Sequence, residues 1–177
     1  MFIDLLRKRR SIRQFKDTAV EREKIDTLIE AVLRSPSSRG LNPWEFVVVK
    51  ESATIEKLSR AKVHGSRFMK NAPLAIVVCA DPCKSDVWIE DCAIASLILH
   101  LTATDLELGS CWVQIRQREH DENRSAEEYI GNLLGLREGM VVEAIVAIGY
   151  AAEQKAGHDP ATLLHQRISF ERYSVEQ

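Results

Sequence analysis

The chain has 177 residues, 45% of them hydrophobic and 28% charged. These are the values of one soluble globular domain with a genuine core, not of a fibrous or disordered chain. The formal net charge is −2, so no global field draws the protein to nucleic acid or an anionic membrane, and any anion site must be local.

The opening MFIDLLRKRR carries its charges after its apolar residues, the reverse of a secretory signal. It reads as a short amphipathic helix ending near Arg10, with Phe2, Ile3, Leu5 and Leu6 as its apolar part. Thr18-Ala-Val-Glu21 has the form of a capping box. The helix after it puts Ile25, Leu28, Ile29, Val32 and Leu33 on one face and should stop near Ser35-Pro36. Glu45 to Lys50 is a β-branched run of strand type, and a weaker helix follows from about Ser52 to Ala61. Leu74 to Ala80 is continuously apolar and of strand length, which suggests burial on both faces.

Val87 to Leu106 is apolar nearly all round and free of Gly and Pro, a helix suited to the centre of a domain or dimer. Its apolar stretch, Cys92 to Thr104, is too short to span a bilayer. Gly109 to Ile115 and Val141 to Ile148 are two further strand candidates. Between them Ser125-Ala-Glu-Glu128 resembles a capping box and Leu134-Gly135 a helix C-terminus. The tail from Ala151 to Gln177 is polar with Leu163, Leu164, Ile168 and Phe170 set through it, as in a segment that packs against something else. The sum is a single α+β domain over residues 1–177, with four or five strands and long helices on the sheet. The four cysteines, Cys79, Cys83, Cys92 and Cys111, form no Cys-x-x-Cys pair and no zinc spacing. They read as reduced thiols of a cytoplasmic protein, with no metal site expected.

Four segments carry chemistry. Arg9-Arg10-Ser11-Ile12-Arg13 sets three guanidiniums and a hydroxyl where a helix gives way to extended chain. Such a set can converge on one phosphate, or stand as a solvated basic run. Ser35-Pro-Ser-Ser-Arg-Gly-Leu-Asn-Pro-Trp-Glu-Phe46 offers Ser37, Ser38 and Asn42 to a polar ring edge, or is an ordinary helix–strand loop with Trp44 as its anchor. Leu108 to Ile115 is a strand whose free edge would seat a planar heterocycle, or a buried strand with a bulky tryptophan. Gly149-Tyr150 closes the last strand, and Arg167 follows in the tail.

Taken in order, these segments resemble the FMN-dependent nitroreductase family over nearly the whole chain. Arg9 to Phe15 matches the family's Arg-Arg-Ser-x-Arg-x-Phe, and Ser35 to Phe46 its Ala/Ser-Pro-Ser-Ser/Ala-x-x-x-Gln-Pro-Trp-x-Phe. Gly109 to Trp112 matches its Gly-Ser/Thr-Cys-Trp, and Ile145 to Tyr150 its closing strand. The resemblance implies a mainly antiparallel sheet of four to five strands, flanked by long helices, in an intertwined homodimer. The tail of about 151–177 would wrap the partner subunit.

The resemblance also implies that Arg9, Arg10, Ser11 and Arg13 bind the phosphate, ribityl chain and pyrimidine side of FMN. Pro36, Ser37 and Ser38, with Arg34 and Asn42 less strongly, would reach the flavin of the other subunit. Trp112, Val113, Gln114 and Ile115 would run along the ring, with the Gln114 backbone N–H near N5. Arg167, with His165, would close on the phosphate. NADH or NADPH would deliver a hydride that passes on to a nitroaromatic, quinone or similar small acceptor. No side chain is implied as a catalytic acid or base. A related reaction (dehydrogenation, dehalogenation or flavin fragmentation) and a flavin-binding dimer without turnover remain open. Gly40, Asn42 and His165 depart from the family's common Asn, Gln and Lys, so their contacts are in question.

Overall fold

The computed structural model describes residues 1–173. Helix α1 (Phe2–Lys8) and helix α2 (Arg22–Leu33) precede strand β1 (Trp44–Val49) and helix α3 (Ser52–Ser59). Strand β2 (Leu74–Ala80), the long helix α4 (Trp88–Asp105) and strand β3 (Gly109–Gln114) follow, then α5 (Ala126–Leu134) and β4 (Val141–Gly149). The strands form one antiparallel sheet in the order β1-β2-β4-β3, so β1 and β3 are its two edges.

Every residue of β2 is buried because both faces of the sheet are covered. Ile76, Val78, Val146 and Ile148 meet α2 and α4 through Leu28, Val32, Cys92, Ala95 and Leu99. Ala75, Val77, Ile145 and Ala147 meet the opposite layer of Ile55, Leu58, Met69 and Ile130, which Ile12 and Phe15 complete. Residues one apart in β2 and β4 thus enter different cores, as the two-residue period of a strand requires.

Local signals survive where their partners are local. Ser125 Oγ accepts from the Glu128 backbone N–H, and the Glu128 carboxylate accepts from the Ser125 N–H, closing the expected capping box of α5. Gly135 ends α5 at φ 65°, the left-handed cap that suits glycine. The box expected at Thr18 to Glu21 does not form. Glu21 is itself the N-cap, and its carboxylate accepts from the Tyr150 hydroxyl at 2.7 and 2.8 Å. On α2, Ile25, Leu28 and Val32 are buried as expected, whereas Leu33 is exposed.

Helix α4 buries one side on the sheet and leaves Ile94 and Leu97 exposed. Among the described residues, no helix is long and apolar enough to cross a membrane. Among the described residues after Tyr150, Ala151 bridges Phe15 and the chain then forms short 3-10 turns at Pro160–Thr162 and His165–Arg167. Leu163, Leu164, Ile168 and Phe170 are exposed along it, and residues 174–177 of the tail lie outside the described residues.

Candidate active site at the open edge of strand β3

The Ile115 N–H donates to the Glu143 carbonyl at 2.9 Å, so the odd residues of β3 turn their backbone groups toward β4. By alternation, Ser110, Trp112 and Gln114 turn theirs to the other side. There the Ser110 carbonyl accepts from the Ile12 N–H at 2.9 Å and the Gln114 carbonyl from Lys62 Nζ at 3.0 Å. Beyond the Ser11–Ser110 bridge, no strand among the described residues pairs with this edge. The Trp112 and Gln114 N–H groups therefore face an open rim.

The chain leaving α1 lies along the same rim. Ile12 and Phe15 sink into the core, which turns Arg9, Arg10 and Arg13 outward. A Cβ on Gly109 would stand 2.8 Å from Ile12 Cγ2, and one on Gly149 2.4 Å from Pro73 Cδ. The glycines of two of the quoted motifs are thus sites of close approach that admit this packing.

None of the three arginines pairs with a carboxylate among the described residues. Arg9 Nη1 lies 3.4 Å from His100 Nε2, Arg10 donates to the Ala156 carbonyl, and the Arg13 guanidinium stands 5.8 Å from the centre of the Phe68 ring. Arg34, Arg39 and Arg137 are instead neutralised by Glu30, by Asp86, and by Glu45 with Asp81. The rim thus keeps net positive charge.

Two residues that the motifs did not mark complete this region. Glu153 Oε1 accepts from the Arg13 and Gln14 N–H groups at 2.5 and 3.2 Å, which holds its carboxyl below the usual range. Lys155 donates to the Ser11 carbonyl at 2.8 Å and pairs with Glu153 at 3.1 Å. The only local hint was an acid and a base two apart just after Gly149-Tyr150. Beside them an open groove of about 640 Å³ is lined by Arg10, Ile12, Gly109, Glu153 and Lys155.

At the other end of β3, Arg118 donates to the Gln114 side chain at 2.8 Å. Burial, reinforced by the charge of Arg118, lowers the Lys62 pKa. Residues 61–67 and 116–124 meet here, through the Val63 N–H on the Glu119 carbonyl at 3.3 Å and His120 Nδ1 at 3.1 Å from the Ala61 carbonyl. Of the four residues Trp112 to Ile115 expected along the ring, Trp112 and Gln114 present groups to the rim. Val113 and Ile115 bury their side chains in the core and turn their backbones to β4.

The Pro36 to Asn42 loop is well formed but elsewhere. Ser37 Oγ donates to Asn42 Oδ1 at 2.6 Å and accepts from the Asn42 N–H at 2.9 Å. The Ser38 N–H and Ser85 Oγ donate to the two oxygens of buried Asp91, at 2.8 and 3.2 Å, so Asp91 is a hydrogen-bonded acid that secures this loop. Arg34 is exposed and pairs with Glu30. The loop leads into β1, and β1 lies three strand spacings of about 4.8 Å each from β3, roughly 14 Å away. Within one chain the structure does not bring Pro36, Ser37, Ser38 and Asn42 to Arg9 to Arg13. Arg167 and His165 stand exposed in the tail, with no side-chain bond to that segment among the described residues.

The cysteines do not form a redox pair. All four are free, Cys83 is exposed, and burial pushes the Cys79 thiol up to about 12.

The family model described as the nitroreductase family matches residues 6–67, the span that holds the Arg9 and Ser35 segments. An Archaeoglobus fulgidus protein named for NADH dehydrogenase/NAD(P)H nitroreductase activity is 36% identical over 151 residues, which cover 83% of each chain. A Methanothermobacter thermautotrophicus protein of the same name is 32% identical and covers 89% of this chain and 81% of its own. This chain belongs to the nitroreductase family. The solved structure of an FMN-dependent nitroreductase from Clostridium difficile R20291 superposes with a TM-score of 0.95 at 45% identity, covering 97% of this chain and 99% of that one. The nitroreductase fold is therefore present over nearly the whole chain, and its arginine and serine motifs lie at opposite edges of the sheet.

Proposed function

We propose that this protein is an FMN-dependent NAD(P)H oxidoreductase whose cofactor lies along the open rim of β3. The observation that carries the reading is the set of Arg9, Arg10 and Arg13, which keep their charge beside outward-facing backbone donors of Trp112 and Gln114. That donor set fits a planar ring bearing one phosphate. Arginine forks and the Ser11 hydroxyl suit the dianion. The chain has no Gly-x-Gly-x-x-Gly turn for a pyrophosphate, which favours FMN over FAD.

FMN would supply the hydride chemistry, and the chain supplies binding, orientation and electrostatics. The Gln114 N–H would donate to the ring's edge. Arg13 would set positive charge beside the bound ring, a preorganised field of the sign the reaction needs. Lys62 and Arg118 fix Gln114 at its carbonyl and its side chain. Residues 61–67 and 116–124 border the rim, where a nitroaromatic, quinone or similar acceptor would enter.

The reading includes a homodimer with shared sites. Leu97 and Ile94 on α4, Phe2 on α1, and Leu163, Leu164, Ile168 and Phe170 in the tail are apolar and exposed, surfaces that a second copy would bury. The Ser35 to Asn42 loop of one subunit would then meet the β3 rim of the other, and the tail, about 151–177, would wrap the partner.

The purified protein should be yellow, heat should release FMN that co-elutes with authentic FMN, and anaerobic NADH or NADPH should bleach it. FAD, or no flavin after reconstitution, overturns the cofactor assignment. Mixing inactive Arg10→Ala and Ser38→Trp subunits should restore part of the activity, because one site of each heterodimer is intact. No recovery despite proven exchange rejects shared sites.

A further inference from the structure

His100 sits on α4 with 6% of its surface exposed, and no motif marks it. Both ring nitrogens are engaged: Nδ1 with Ser110 Oγ on β3, and Nε2 with Arg9 Nη1 at 3.4 Å. A guanidinium has donors only, so Nε2 must accept. The ring proton is then on Nδ1, and Ser110 Oγ accepts it. Arg9 contacts a neutral imidazole in one tautomer. The surroundings favour that state, since burial and then the charge of Arg9 bring the His100 pKa down to about 4.

Ser110 is in turn fixed to the arginine segment, because it bridges Ser11 and its carbonyl accepts from the Ile12 N–H. Arg9, His100, Ser110 and Ser11 therefore close a ring of contacts around the start of the rim. A carboxylate in the place of His100 would orient Arg9 equally well but cancel its charge and compete with an anionic ligand. A neutral acceptor orients the guanidinium and leaves its charge available. Holding a long side chain in place beforehand also lowers the ordering cost of binding.

We propose that His100 is a positioning residue that presents Arg9 to the cofactor phosphate through its neutral Nε2, with Ser110 Oγ fixing the ring. The proposal rests on the FMN reading above.

The test is a double-mutant cycle on FMN affinity, read by quenching of FMN fluorescence on titration with apoprotein. His100→Leu should weaken binding roughly three- to tenfold, the size of one net hydrogen bond. His100→Gln, whose amide oxygen can accept from Arg9, should recover most of that loss. In an Arg9→Ala background, His100→Leu should change nothing further. Multiplying effects, or a Gln variant as weak as Leu, overturn the proposal. Should His100→Leu fail to fold, Ser110→Ala replaces it in the same cycle with a smaller expected loss. A parent without FMN affinity overturns the cofactor reading and this proposal together, whereas independent effects in a parent that binds overturn this proposal alone. Separately, long-range ¹H–¹⁵N spectra of histidine-labelled apoprotein at pH 7 should show His100 protonated on Nδ1. Protonation on Nε2 instead overturns the geometry without reference to any cofactor.

Discussion

Among the described residues, strands β1 and β3 each end the sheet with one side of the backbone unpaired by a neighbouring strand, yet the side chains around them differ. The β3 edge is met by Ser11 and ringed by Arg9, Arg13, Lys62 and Lys155. The β1 edge borders an apolar groove of about 480 Å³ lined by Ile29, Val32, Leu33, Trp44 and Phe46. A free strand edge accepts either another chain or a ligand, and the flanking side chains select between them. Arg9, Arg13 and Lys62, which pair with no carboxylate among the described residues, select a small planar anion beside the open amides, whereas an apolar border selects protein surface. One sheet thus offers two different kinds of contact through the same backbone chemistry.

The comparison breaks most readily at the arginines. Arg10→Ala or Arg13→Ala should weaken FMN binding roughly ten- to hundredfold, the worth of a charge-assisted contact. Glu45→Gln on β1 should leave affinity within about twofold, as expected of an exposed surface charge. Fluorescence titration of the apoproteins compares them. Equal losses at both edges would mean that the cations at β3 have no special role. Arg167→Ala should act like Arg13→Ala but more mildly.

A smaller effect is expected from the packing that brings the arginine segment to β3. In Gly109→Ala the new methyl meets Ile12 Cγ2, Cβ and Cγ1 at 2.8, 2.9 and 3.0 Å. Ile12 must shift, at a cost of about 1–3 kcal/mol in urea unfolding. Because Ile12 lies between Ser11 and Arg13, FMN affinity should fall as well. An unchanged unfolding midpoint would show that the approach is looser than the geometry indicates.

The parts legible in the sequence are those whose partners are near in the chain. Leu74 to Ala80 announces a strand buried on both faces, and the Ser125 box and Gly135 cap bond within a few residues. Thr18 to Glu21 misleads because Glu21 bonds Tyr150, a partner 129 positions away that no local pattern contains. The same distance hides Glu153, Lys155 and His100. Each is one ordinary polar residue until the fold sets it against Arg13, Ser11 or Arg9. The arginine segment and the serine loop were legible as motifs, but their separation to opposite edges follows from the order β1-β2-β4-β3, which pairwise strand signals do not encode.

The smallest predicted effect concerns a buried acid beneath the β3 rim. Glu143 is 4% exposed, and burial raises its carboxyl to about 6, against the opposing bonds from Trp112 and Ser96. The folded state therefore holds this proton more tightly than the unfolded chain, whose group titrates near 4.5. Its contribution to stability is complete below the unfolded value and is lost as pH rises through about 6. Glu143→Gln keeps the shape and removes the titration. Its unfolding free energy relative to the parent should therefore rise from pH 4.5 to pH 7.5, by about 1–2 kcal/mol for a shift of this size. His100 acts in the opposite direction, because a lowered histidine pKa favours folding as pH rises, but it is present in both proteins and cancels in the difference. Urea unfolding at the two pH values measures the effect. A difference that stays constant, or shrinks, as pH rises would mean that Glu143 is already ionised in the folded protein at pH 4.5, held by the Trp112 indole and Arg116.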